Sequence, residues 1–181
     1  RDTDRSRGLG DVYKRQFLRS VFFLKVPMKV PMKVPMKVQL GIMAMIDIAT
    51  NSQGGRVVTT TSISKRQNIS PKYLEQILPA LRLAMLIRSQ KGSNGGYIIT
   101  KPCNQITLKD IINALDPNIL SDVYFDTNNK NSTMIDTIND DLWNNMTSYL
   151  QDYTEKITLK DICDDYRQRL DNQEAQFMYY I

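Results

Sequence analysis

The amino-acid sequence predicts a mainly α-helical protein with one small β-hairpin and a long amphipathic helix towards its C-terminus. Three observations carry that expectation. Apolar residues recur at helical spacing in several segments. One glycine-rich hexapeptide, Lys91-Gly92-Ser93-Asn94-Gly95-Gly96, separates two short strand-like runs. A stripe of Ile135, Ile138, Leu142, Met146, Tyr149 and Tyr153 repeats at intervals of three and four residues, which is the seam of a long helix.

The first 31 residues contribute nothing to this pattern. Ser6 to Gln16 (SRGLGDVYKRQ) resembles a translated transposon-end adaptor, and the repeat beginning Val26-Pro27-Met28-Lys29 places proline at every fourth position, which excludes a regular helix. Residues 1–31 are therefore expected to be an artefactual or disordered extension. Beyond them, Val38 to Ala49 is apolar enough for a buried helix, stopped by Asn51-Ser52-Gln53-Gly54-Gly55. Thr60 or Thr61 should cap a short helix ending at Gln67, and Asn68-Ile69 should turn the chain. Ser70 then serves as N-cap and Pro71 as first residue of a third helix, whose Leu74, Ile77, Leu78 and Leu81 define a core face. Pro79 should bend that helix without disturbing its first turns.

Strands are expected over Leu86 to Gln90 and Tyr97 to Thr100. Thr107 and Asp110 form a capping-box pattern for the next helix, and residues 117–134, polar and rich in Asn, read as a loop. A last helix begins at Thr158, where Ile157 to Ile162 repeats Ile106 to Ile111 letter for letter; the same capping solution is used twice. The order helix, helix, turn, helix, hairpin is that of a winged helix-turn-helix, here over residues 32–116 and followed by a dimerisation helix and tail over residues 135–181.

Charge supports a division of labour. The net +5 comes from residues 1–31, with eight basic and three acidic side chains. Residues 32–109 carry eleven basic and two acidic residues (+9), whereas residues 110–181 carry five and fourteen (−9). A basic half joined to an acidic half suits a DNA-facing domain with a separate module for other contacts. Histidine is absent, which removes the usual general base and the commonest zinc ligand, and no clustered catalytic constellation replaces it. No enzyme is expected, and no metal site. The two distant cysteines, Cys103 and Cys163, form no CxxC pair and suit structural thiols in a reducing cytoplasm. No apolar run is long enough to cross a membrane.

The residues expected to meet double-stranded DNA follow from this layout. Ser70, Lys72, Tyr73 and Gln76 occupy the first turn and a half of the third helix, off its core face, where winged helices read the major groove. Gln76 can pair with adenine, Tyr73 can meet a thymine methyl or a phosphate, and Ser70 can offer its N–H to a phosphate. In the hairpin, Lys91 supplies a phosphate charge, while Gly92, Asn94, Gly95 and Gly96 allow close approach to the backbone of DNA. A solvated helix face and an ordinary tight hairpin would explain each part alone; their occurrence together in this order favours DNA. A winged helix used only for protein–protein contact is the competing reading, suited by the neutral balance of residues 32–181 and opposed by the +9 half.

Tyr73-Leu74-Glu75-Gln76-Ile77-Leu78, the Leu81-Arg82 step and Gly92-Ser93-Asn94-Gly95-Gly96-Tyr97 resemble the signatures of the Rrf family of bacterial transcription regulators. The resemblance runs from about Met32 to the C-terminus, with two departures: Lys91 stands where the family usually has Arg, and Pro79 lies one place early. It implies a homodimer, repressor in type, on a pseudo-palindromic operator. Cluster-binding members carry three closely spaced cysteines in the interval that corresponds to Pro117–Met134, which has none here, so no iron–sulfur cofactor is expected. The resemblance is therefore to the cluster-free branch that represses cysteine metabolism. In that metabolism cysteine synthase receives the C-terminal isoleucine of serine acetyltransferase, and Tyr180 and Ile181 are expected to imitate that tail. The alternative is that the terminal aromatics pack against the dimer helices.

Overall fold

In the computed structural model, which describes residues 34–92, 95–122 and 132–178, the first helix is α1, Met36–Asn51. The expectations for residues 1–31, Asn94, the middle of the 117–134 segment, Tyr180 and Ile181 lie outside the described residues. All the described elements belong to one compact unit, Val34–Ile181. Pro35 precedes α1, and its carbonyl accepts the first helical bonds. Val38, Ala44, Met45, Ile48 and Ala49 form the buried stripe. Gly41 lets α1 approach the fourth helix closely, since a Cβ there would sit 2.2 Å from Leu115 Cδ1.

Helix α2 covers Thr60–Gln67. Its N-cap is Thr59, whose hydroxyl accepts the Ser62 N–H at 3.1 Å, one residue before the expected Thr60 or Thr61. Three consecutive threonines offer the same capping chemistry, so composition alone does not choose among them. Asn68 ends α2 in the left-handed region (φ 51°), which asparagine tolerates. Helix α3, Pro71–Leu83, has the expected Ser70 cap and Pro71 start, and it continues through Pro79. Leu74, Ile77, Leu78 and Leu81 are all buried.

The end of α3 carries a strained residue. Leu86 N–H donates to Leu81 O and Met85 N–H to Arg82 O, both at 3.0 Å, which is the bonding of a Schellman cap with Met85 in the left-handed position (φ 57°). Glycine is the residue that adopts this conformation without steric penalty, and the Met85 side chain is 72% exposed and packs little. Met85→Gly should therefore raise stability by about 0.5–1 kcal/mol, relief of strain outweighing the added chain entropy. The urea midpoint measures this; an unchanged or lower midpoint would show that the cap stores no strain.

Strands β1, Ile87–Gln90, and β2, Gly96–Ile99, pair antiparallel with Ile87 opposite Ile99 and Gln90 opposite Gly96. On its other edge β2 meets Val58: Val58 N–H donates to Tyr97 O at 2.9 Å and Tyr97 N–H to Val58 O at 2.8 Å. The hairpin is thus docked onto the segment that leads directly into α2. A short 3-10 turn, Cys103–Gln105, leads to α4, Leu108–Leu115, which has the full Thr107/Asp110 capping box.

Residues 117–134 depart from a plain loop at both ends, with a 3-10 turn at Pro117–Leu120 and a helix, α5, from Ser132 to Thr137. Asp116 caps the former by accepting the Asn118 N–H, so Asp-Pro-Asn directs a helical turn here. Helical backbone continues from α5 through a π-helical stretch, Ile138–Asn144, into α6, Asn145–Lys156. The last helix, α7, spans Leu159–Met178. The two identical hexapeptides do more than cap two helices alike. They pair with each other antiparallel through Thr107 and Thr158, with Leu108 N–H donating to Ile157 O and Leu159 N–H to Ile106 O, each at 2.8 Å. No helix among the described residues is long and apolar enough to cross a membrane.

Candidate nucleic-acid interface

Burial of Leu74, Ile77, Leu78 and Leu81 turns the opposite side of α3 outward. Ser70, Lys72, Tyr73 and Gln76 are all exposed on it, as helical spacing requires. The Ser70 hydroxyl accepts the Tyr73 N–H at 3.4 Å within the cap. Glu75 is exposed on the same helix, among Lys72, Tyr73 and Gln76, and is the acidic side chain of this face.

The hairpin brings further groups. Lys91 and Gly92 are exposed at its tip, and Arg88 is exposed on β1. Arg88 is a cation that motif reasoning passed over; an arginine in a polar strand (Arg88-Ser89-Gln90) entering a glycine-rich tip was the available signal. The glycines differ in what they do. Gly92 has φ +126° and, among the described residues, open space around it, so its requirement is conformational. A Cβ on Gly95 would sit 2.7 Å from Gln90 O, and one on Gly96 would sit 2.6 Å from Val58 O. Close approach at these two positions is to the protein's own backbone.

A second cluster lies behind the turn. Asp47 is buried on α1 and accepts bonds from Arg66 Nε at 2.9 Å, Arg66 Nη2 at 2.7 Å and Gln67 Nε2 at 2.8 Å. The bond to Asp47 holds the Arg66 guanidinium above even its usual range. None of these three residues was singled out by motif or spacing. The signal was present, however: a lone carboxylate inside the apolar run Met45-Ile46-Asp47-Ile48 must find a cation.

Two stacked helices joined by a tight turn, the second exposing a polar reading face, with a hairpin docked beside the entry to the first, constitute a winged-helix DNA-binding unit. Fold and site together define a helix-turn-helix transcription regulator. Residues 34–165 match the family described as Rrf2, iron-dependent transcriptional regulator. The chain belongs to the Rrf2 family. A Neisseria meningitidis protein assigned as an HTH-type transcriptional regulator is 33% identical over 141 residues, 78% of this chain and 94% of the relative. The regulator IscR of Cronobacter sakazakii is 41% identical over 78 residues, covering 43% of this chain and 48% of its own length. Among solved structures, CymR, the global cysteine regulator of B. subtilis, superposes with TM-score 0.61 at 28% identity, covering 73% of this chain and 96% of CymR. IscR of T. potens gives 0.58 at 32% identity over 74% and 88%. These relatives are transcription regulators, not enzymes.

The iron dependence in the family's description can be tested against the donors present. Cys103 and Cys163 are the chain's two cysteines, and it has no histidine. Burial pushes both thiols up, and Cys103 adds to the rise at Cys163. Thiolates hold iron–sulfur clusters, and two cysteines do not supply a three-cysteine set. No group of three or more His, Cys, Asp or Glu residues placed to hold a metal ion occurs among the described residues. The donor set does not fit a cluster of that kind.

Proposed function

We propose that the protein is a homodimeric, repressor-type regulator acting in the cytoplasm without an iron–sulfur cluster, and that its α3 reads a pseudo-palindromic operator. The observation that carries this reading is the two-faced α3, with four buried aliphatics on one side and Ser70, Lys72, Tyr73 and Gln76 exposed on the other. Lys91, with Gly92 and Asn94, would carry the hairpin's contacts to phosphate, while Gly95 and Gly96, close against Gln90 O and Val58 O, would hold the hairpin in place for them. Gln76→Ala should lower affinity for the preferred site by roughly 1–3 kcal/mol and relax preference at one base pair. Lys91→Ala should weaken binding to all sequences and make the salt slope shallower by about one unit. Fluorescence anisotropy on operator and scrambled duplexes at several salt concentrations separates the two. Uniform loss across sequences in both variants would remove Gln76 from base readout.

The regulated metabolism, on this reading, is that of cysteine and sulfur. The absence of cluster ligands and the likeness to the cysteine regulator CymR support it. Cysteine synthase is then the proposed protein partner, met through Tyr180 and Ile181. Alanine at both positions should abolish binding to purified synthase, and O-acetylserine should dissolve the wild-type complex. Equal binding by the two forms, measured by calorimetry, would end this assignment and leave the DNA reading intact.

A further inference from the structure

We propose that Asp47 is a positioning residue for DNA recognition: its buried carboxylate fixes the angle at which α2 and α3 stand on α1, and thereby the spacing of the two reading helices in the dimer. This inference rests on the proposed roles of α3 as the reading helix and of the homodimer as the DNA-bound form.

How little else holds α2 is the first consideration. Of its eight residues, Ile63 is the one that is buried. Apolar burial is non-directional, and the Val58–Tyr97 bridge anchors α2 at its N-terminal end alone, so neither fixes the orientation of its C-terminal end. The Asp47 side chain, 1% exposed, removes that freedom. Arg66 meets both carboxylate oxygens through Nε and Nη2, the fork geometry that fixes orientation as well as distance. Arg66 Nη2 also reaches back to Ser62 Oγ at 3.3 Å, which ties the fork to the preceding turn of α2. Gln67 adds a bond to Oδ1, and Asn51 donates to the Asp47 carbonyl at 2.8 Å. Arg66 and Gln67 are the last two residues of α2 and directly precede Asn68, whose left-handed turn sets the course of the chain into α3. The carboxylate therefore grips the helix at the end from which the reading helix departs.

The other member of the grip is α1, which also packs against α4 and α7. It also packs against the reading helix α3, and α4 in turn packs against α6, the helix that carries Met146, Tyr149 and Tyr153 of the exposed stripe, so α1 and α4 together link the reading helix to that stripe. An ion pair serving stability alone would not need this placement, and well-packed apolar residues often replace buried pairs without loss. A directional contact at a hinge has a consequence that a merely stabilising one lacks: it governs tolerance to half-site spacing.

The test uses DNA fragments enriched from a random pool by the wild-type protein, and the same fragments with one base pair inserted or removed between the half-sites. Asp47→Asn keeps the volume and removes the charge. Arg66→Lys keeps Asp47 neutralised and removes only the fork. Both are checked for folding by circular dichroism and for dimerisation by ultracentrifugation at the assay temperature. The wild type should lose affinity about tenfold or more on a change of spacing. Asp47→Asn should discriminate far less between the spacings, Arg66→Lys should move in the same direction, and binding to scrambled DNA should be unchanged. Wild-type discrimination in both variants, even with a lowered melting temperature, would overturn the proposal; if Asp47→Asn does not fold, Arg66→Lys decides alone. Failure of the wild type to enrich any fragment would overturn the DNA reading itself and this inference with it.

Discussion

Replacing Leu142 and Met146 together with aspartate should leave a folded monomer whose affinity for a two-half-site operator is lower by about 10²–10⁴-fold. The expectation comes from the surface that the single chain leaves uncovered. Leu142 and Met146 are 57% and 56% exposed, and Tyr149 and Tyr153 continue the same stripe outward at 69% and 40%. Large apolar side chains in a row along one helix mark a surface meant for a partner, and a two-fold dimer covers such a stripe with its own copy. Charge introduced on both copies would face charge, and desolvating unpaired carboxylates in an apolar seam opposes association further. Each monomer would retain its reading helix, so affinity for an isolated half-site should change little; the loss arises because the second half-site is no longer met at high effective concentration. Ultracentrifugation at micromolar concentration and titration of full and half operators check both parts. A variant that remains dimeric, or that loses half-site binding equally, would show that the stripe serves something other than dimerisation.

The parts of this architecture that are legible in the sequence are those governed by neighbours along the chain. Ser70-Pro71 announces a helix start through capping and a fixed φ, and Leu74, Ile77, Leu78 and Leu81 fall on one side of any helix drawn through them. Thr107 with Asp110 works for the same reason, its two partners being three residues apart. The hidden parts depend on distance along the chain. The bond from Arg66 to Asp47 spans nineteen residues, and the Val58–Tyr97 bridge thirty-nine, so local pattern marks Asp47 as needing a cation but cannot name Arg66, and it shows nothing of the bridge. The repeated hexapeptide suggested a shared capping solution but not that the two copies pair. The stripe shows a subtler limit. Counting by threes and fours presumes α-helical spacing, whereas Ile138–Asn144 is π-helical and places Asn139 in the interior. A wider turn rotates the helix beyond it, which separates the half-buried Ile135 and Ile138 from the exposed Leu142 and Met146.

A second large effect is expected at Gly96, and it separates two explanations of the glycine-rich tip. If the glycines serve only close approach to DNA, a methyl group at position 96 should weaken DNA binding and leave the free protein as stable as before. The structure gives a different expectation. The added Cβ would lie 2.6 Å from the carbonyl oxygen of Val58, 2.8 Å from its carbonyl carbon and 3.1 Å from Thr59 N, all of them backbone atoms with no side-chain freedom to yield. Either the two Val58–Tyr97 hydrogen bonds break or the Gln90–Gly96 pair opens. Two backbone bonds at about 1 kcal/mol each, with about 1 kcal/mol of overpacking, make Gly96→Ala destabilising by about 2–4 kcal/mol. Gly92→Ala provides the contrast. Its Cβ meets nothing within 4 Å among the described residues, and the positive φ alone should account for about 1–2 kcal/mol. Because Val58 adjoins Thr59, the N-cap of α2, loosening the bridge should also disturb the helix pair and reduce DNA affinity beyond the loss of Lys91's position. Urea denaturation of both variants without DNA decides the matter: a Gly96→Ala midpoint equal to the wild type, or above that of Gly92→Ala, would mean that the hairpin does not lean on Val58 and that the glycine is kept for its DNA contact alone.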